Sequence, residues 1–85
     1  MLNVTLITPA QTLFEGQAST LTLPGDEGDF GVLPGHMPLI STLRAGAPLE
    51  ITTADGTTRR FTTTGGVADV QPAQVTILAE TATAD

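Results

Sequence analysis

Period two dominates this sequence. From Leu2 to Glu80 apolar residues alternate with polar or β-branched ones, and no window of about 11 residues sets its apolar positions at helical spacing. Threonine gathers where a branched Cβ favours extended backbone. The chain must therefore fold as strands, each burying one face. Leu2 to Thr8 puts Val4 and Leu6 on one face, Thr5 and Ile7 on the other, and stops at Pro9. Thr12 to Phe14 reads as a short second piece halted by Glu15-Gly16. Ala18 to Leu23 reads as a third, with Ser19, Leu21 and Leu23 opposed to Ala18, Thr20 and Thr22. Pro24-Gly25-Asp26 supplies a turn. Leu39 to Leu43 follows as a short apolar strand or turn, Arg44 to Pro48 as a connector, and then the strands Leu49 to Thr53 and Thr58 to Thr64, joined by Asp55-Gly56, a strong hairpin signal. Gly65-Gly66 precedes Val67 to Gln71, and the short link to Gln74 to Glu80 makes those two runs antiparallel neighbours.

A chain of 85 residues holds one core and not two. About eight to ten such segments exceed what one open sheet accommodates at this length. The expected fold is all-β, a two-sheet antiparallel β-sandwich or flattened barrel of about ten short strands. Its inward faces should carry Val4, Leu6, Leu21, Leu23, Ile51, Phe61, Val70, Val75 and Ile77, with Phe14 and Phe30 also placed in the core by residue type. Arg59 and Arg60 are adjacent on a strand and must point to opposite faces, so one lies at a sheet edge, at an interface or snorkelling from the core side. Residues 1–81 make the domain. Residues 82–85 lack bulky side chains and are expected to fray.

Chemistry is sparse. Three Lys and Arg against nine Asp and Glu leave a net charge of −6, a field that repels phosphate backbones and argues against a nucleic-acid partner while favouring a locally basic protein. With no cysteine and one histidine there is no thiol chemistry and no ligand set at recognised metal spacing, so neither a metal nor a cofactor is expected. Ser19 and Ser41 lack a positioned base and a nucleophile elbow. Gly25, Gly28 and Gly31 open no helix and precede no lysine, as a phosphate loop would require. A carbohydrate- or peptide-binding module would want an exposed aromatic platform, and the chain has no Trp or Tyr.

The least regular stretch is Glu27 to Pro38, with three glycines, two prolines, two acids and the only histidine. Pro34 and Pro38 bracket His36 and lower the cost of ordering a loop that presents Leu33, His36 and Met37 to a partner. His36 itself reads equally as a hydrogen-bonded loop staple or as an intersubunit contact.

Those residues carry a resemblance. Gly28-Asp29-Phe30-Gly31-Val32-Leu33-Pro34-Gly35-His36-Met37-Pro38-Leu39 resembles the run G-[ED]-[LFM]-G-[IV]-x-P-G-H-x-P-L of the amino-terminal domain of the F-type ATP synthase epsilon subunit, called delta in mitochondria. Phe14-Glu15-Gly16, Gly65-Gly66-Val67-Ala68-Asp69-Val70 and Val75-Thr76-Ile77-Leu78-Ala79-Glu80 match in the same order, so the resemblance runs from about Val4 to Thr81. It implies a β-sandwich at the foot of a rotating central stalk, without an active site of its own. One surface would grip the gamma subunit and one end would rest on the membrane ring of c subunits, with alpha and beta subunits in the same complex. Asp29 and His36 match the family's ring contact, and Leu33 and Met37 flank them. The implied location is peripheral, on the cytoplasmic face of a bacterial inner membrane or the stromal face of a thylakoid-type membrane. Family members usually continue into a regulatory two-helix hairpin. Nothing of that hairpin's inhibition or nucleotide site carries over to a chain read as far as Asp85.

Overall fold

The computed structural model describes residues 1–85. Nine strands follow one another without a helix: β1 (Leu2–Ile7), β2 (Thr12–Gly25), β3 (Gly28–Val32), β4 (Leu39–Leu43), β5 (Pro48–Thr53), β6 (Thr58–Thr63), β7 (Gly66–Val70), β8 (Gln74–Ala79) and β9 (Ala82–Ala84). Hydrogen bonding links them in the order β1-β8-β7-β4-β2-β5-β6-β9, with β3 also on β2 and β1 also on β2. The result is a sandwich rather than a closed barrel. One layer holds β1, β8, β7 and β4 with the first half of β2, and the other holds β3, β5, β6 and β9 with its second half. Nine strands fall within the eight to ten segments expected from the periodicity.

The strand that serves both layers departs from the sequence reading. Glu15-Gly16 does not interrupt it, because Glu15 pairs with Thr5 and Gly16 with Val4 across the β1 ladder. Pro24 does not end it either. A proline is tolerated where no ladder bond is asked of its nitrogen, and the turn falls at Asp26-Glu27 between the paired Gly25 and Gly28. The register against β5 slips between Ala18 and Thr20, a bulge that turns Ala18 inward together with Leu21 and Leu23. Strict alternation had set Ala18 on the opposite face from Leu21.

Two further expectations are corrected. β1 runs parallel to β8, from Asn3 opposite Gln74 to Ile7 opposite Leu78, so the layers are not wholly antiparallel. Side-chain alternation is the same for either strand direction and could not report this. Residues 82–85 do not fray: Ala82–Ala84 pairs with β6, and the Asp85 amide donates to the Arg60 carbonyl at 2.9 Å. Backbone pairing to a strand edge needs no bulky side chain, which is why composition missed it.

The core follows the alternation closely. All nine side chains assigned inward are at most 1% exposed, joined by Leu2, Leu49, Val32, Ala68 and others in one buried cluster. Phe61 is buried, whereas Phe14 and Phe30 are only partly covered and pack against the cluster from its rim. The two arginines of β6 divide as expected. Arg60 points outward to Glu50, while Arg59 leans over the rings of Phe14 and Phe61, its guanidinium carbon 5.7 and 5.3 Å from the centroids. The Asp55-Gly56 hairpin forms between β5 and β6. There the Asp55 carboxylate accepts from the Thr53 hydroxyl and the Thr57 amide, which together hold its pKa below the ordinary 3.8.

Close approach of strands explains one glycine. A Cβ on Gly66 would sit 2.2 Å from the Leu78 carbonyl oxygen, backbone that cannot yield without opening the β7–β8 ladder. Gly66→Ala is expected to cost about 1–3 kcal/mol through that overlap. Ile77→Ala removes a fully buried side chain and should cost about 2–5 kcal/mol. Urea unfolding of both variants checks the ladder and the core together; either loss below about 0.5 kcal/mol contradicts the packing described.

Candidate functional site

The stretch read as one irregular loop divides into a strand and a turn. Gly28–Val32 is β3, hydrogen-bonded to β2 from Leu21 to Gly25, so Asp29 stands on a strand and not in the loop. What remains, Leu33 to Pro38, is a tight structure. The His36 amide donates to the Leu33 carbonyl at 3.1 Å, with Pro34 and Gly35 between them and Gly35 at φ 88°. That is the residue order of a type II turn, in which proline presets the first corner and glycine supplies the positive φ of the second. The Gly35 amide donates to the Pro72 carbonyl at 2.7 Å, tying the turn to the link between β7 and β8.

On this frame the apolar side chains face outward. Leu33 is 60% and Met37 79% exposed, large values for residues held in a braced turn. His36 lies between them, partly exposed, with its Nδ1 2.7 Å from the Met37 carbonyl oxygen. A carbonyl only accepts, so Nδ1 carries the proton and donates, leaving Nε2 turned away from that bond. The imidazole is thus held by its own neighbour and reaches no distant element.

Asp29 and His36 share no hydrogen bond or ion pair. The Asp29 carboxylate instead accepts from Arg44 Nη2 at 2.6 Å, and Nη1 of the same guanidinium donates to the Gly25 carbonyl at 2.5 Å. Arg44 follows β4, so one planar fork joins the β2–β3 hairpin to the end of β4. The Thr42 hydroxyl donates to Asp26 beside it. Sequence reading placed Arg44 in a connector and missed this role. The signal available was a single cation in an otherwise acidic neighbourhood, within reach of Asp26, Glu27 and Asp29 only once the strands are paired.

A second feature lies on the outer face of the other layer. Ile7, Pro9, Val67 and Leu78 line an open apolar groove beside Gly66 and Glu80, built by one ladder row in which Ile7 opposes Leu78 and Leu78 opposes Val67. Leu78 is half exposed there. Nothing in either region converges as catalytic groups do. No three His, Cys, Asp or Glu side chains come together to hold a metal ion, and the raised pKa of Arg60 follows from its bond to Glu50, far in kind from acid-base chemistry.

Arg44→Ala should loosen the β2–β3 hairpin without unfolding the domain. Both partners of the ion pair are substantially exposed, so its contribution to stability is under about 1 kcal/mol. Amide exchange at Gly28 and Phe30, which face β2, should quicken, and Arg44→Lys should not restore it, since an ammonium cannot span the carboxylate and the carbonyl as a fork does. Unchanged exchange in the alanine variant contradicts the bracing role.

Comparison with known proteins agrees with this geometry. A family model described as the ATP synthase delta/epsilon chain β-sandwich domain matches residues 1–85. The ATP synthase epsilon chain of Bordetella petrii is 44% identical over 81 residues, covering 95% of this chain and 57% of that protein. The epsilon chain of Caulobacter vibrioides is 48% identical over 80 residues, covering 93% of this chain and 90% of that one. In three dimensions the chain superposes with a TM-score of 0.86 and 25% identity on a chain of the Euglena gracilis mitochondrial ATP synthase, solved as OSCP/F1/c-ring in one rotational state, over 98% of this chain and 52% of the other. It spans little more than half the length of the Bordetella and Euglena relatives. Matched by the family model from end to end and 44% identical to a curated epsilon chain, the chain belongs to the β-sandwich domain family of the ATP synthase delta and epsilon chains.

Proposed function

We propose that the chain is a non-catalytic central-stalk component of an F-type ATP synthase, joining the gamma subunit to the c-ring and so coupling proton or sodium movement to rotary ATP synthesis. The observation that carries this reading is the braced turn of Leu33 to Pro38, which spends two backbone hydrogen bonds and a proline on holding apolar side chains in water. Such an arrangement makes sense as a preformed contact, because the ordering cost is met before the partner arrives. Leu33, His36 and Met37 are the ring contact, with Asp29 beside them on β3. Asp29 contributes charge through its pair with Arg44 rather than as an isolated carboxylate.

The apolar groove of Ile7, Pro9, Val67 and Leu78 is the seat of the gamma subunit. It lies on strands β1, β7 and β8, the layer to which the turn is tied through Pro72, so one rigid sheet carries both contacts. Alpha and beta subunits belong to the same complex. The domain sits peripherally at the cytoplasmic face of a bacterial inner membrane or the stromal face of a thylakoid-type membrane. It takes no cofactor, and ATP meets no phosphate cradle on an anionic chain.

Two sets of variants test the reading. Leu33→Ser with Met37→Ser should weaken binding of the assembled gamma-containing stalk to purified c-ring at least about tenfold, as expected when apolar anchors are lost. His36→Ala should add to the loss with little dependence on salt, whereas Asp29→Ala should act mainly at low salt. Leu78→Asp should instead abolish co-purification with the gamma subunit and spare the melting temperature of the isolated domain. Full ring binding by the Leu33, Met37 and His36 triple variant overturns the ring assignment. A large stability loss from His36→Ala returns that histidine to a structural role.

A further inference from the structure

The sandwich is open along one side, where β3 is an edge strand and β4, paired with β7 along its length, meets β2 only at the Gly25–Leu43 bridge, so that its first residues have no strand on that side. The two edges differ in kind. β3 carries Asp29 and two glycines, and charge and glycine blunt an edge against pairing. β9, the far edge of the same layer, is three residues long. β4 reads Leu-Ile-Ser-Thr-Leu, with no charge, no proline and no bulge, which leaves it the one unguarded edge.

Hydrogen bonding fixes which groups of β4 face outward. Around the single bridge between Gly25 and Leu43, the Asp26 amide donates to the Thr42 carbonyl at 3.2 Å and the Arg44 amide to the Pro24 carbonyl at 2.9 Å. Even-numbered residues therefore turn their backbone away from β7, and odd-numbered ones bond to it opposite Val70, Ala68 and Gly66. The amide and carbonyl of Ile40 and the amide of Thr42 consequently have no strand alongside. Next to them runs a cleft lined by Gly25, Asp26, Glu27, Phe30, Leu39 and Ile40, whose apolar lining includes the partly exposed Phe30 and Leu39.

We infer that the free edge of β4 accepts an extended segment of a partner chain by strand addition, the added strand laying alternate apolar side chains over Phe30 and Leu39 and setting a Lys or Arg against Asp26 and Glu27. Charge selects this occupant. Asp26 and Glu27 are exposed at the cleft mouth of a chain with net charge −6, so a second copy pairing β4 with β4 would bring like charges together, whereas a basic segment is drawn in. Few backbone bonds are on offer, so the contact is weak alone and useful as one of several. The inference is independent of the ring contact, which uses side chains of the neighbouring turn.

The probe is a capped peptide, Lys-Val-Thr-Val-Thr-Val-Lys, titrated into the whole chain while backbone amides are followed by NMR. Saturable binding on the order of 0.1–1 mM is expected, with slowed exchange at Ile40 and Thr42 and none at Gly31, as befits a few hydrogen bonds and one charge pair. Ile40→Pro removes only an outward amide, so it should keep the fold and weaken binding at least about tenfold. Ser41→Pro, which deletes a bond to β7, should lower the melting temperature instead. If Ile40→Pro unfolds, Ile40→Lys provides the same block by placing charge on the edge. Leu33→Ser with Met37→Ser should leave peptide binding unchanged, which separates this site from the ring contact. No protection at Ile40 and Thr42 up to millimolar peptide overturns the proposal. Equal binding of a glutamate-flanked peptide, or protection that grows with protein concentration alone, overturns the basic occupant.

Discussion

Strand β2 is the element on which the architecture rests, because it pairs along its length with strands of both layers. Its first half completes the sheet of β1 and β8, and its second half pairs with β3 and β5. The bulge near Ser19 is what lets one strand do this, since an extra residue increases local twist and re-aims the side chains that follow. Leu21 and Leu23 reach the core only after that correction. In a domain this small, with no disulfide, sharing a strand is also an economical way to hold two sheets in register.

Much of this was legible in the residues. Alternation identified the inward set correctly from Val4 to Ile77, because a period-two pattern with one buried face leaves no second register of comparable energy. Asp55-Gly56 announced its hairpin through the backbone freedom of those two residue types. What stayed hidden has a common cause. The parallel run of β1 on β8, the pairing of Ala82–Ala84 and the Arg44 fork are long-range backbone or side-chain matches, and nothing in a local window reports them. Pro24 and Gly16 misled for the opposite reason. Their local preference to break a strand was overruled by the ladder around them.

At the candidate site the motif was visible and its geometry was not. Pro34 and Pro38 marked a braced loop around His36, whereas the type II turn at Pro34-Gly35 and the outward Leu33 and Met37 came from the fold. Asp29 and His36, adjacent in the motif's logic, are separated by function in the fold: one is clamped by Arg44 across two strands and the other by the carbonyl next to it. An acidic residue that looks available in sequence is already neutralised by a cation fifteen residues on. Its effect on a partner is that of a dipole with fixed direction more than that of a bare charge.

The bond from the Gly35 amide to the Pro72 carbonyl has a mechanical meaning. A sideways push on the turn enters the sheet at the link between β7 and β8 and travels along those strands toward Gly66 and Leu78. Force directed along paired strands loads their hydrogen bonds in shear, so several bonds resist at once, whereas a peeling force would break them singly. Between the outward turn and the apolar groove there is no glycine-rich joint and no helix to bend, only the ladder from Val70 and Val75 to Gly66 and Ala79. Stiffness along that line is a property of the register itself, present before any partner binds.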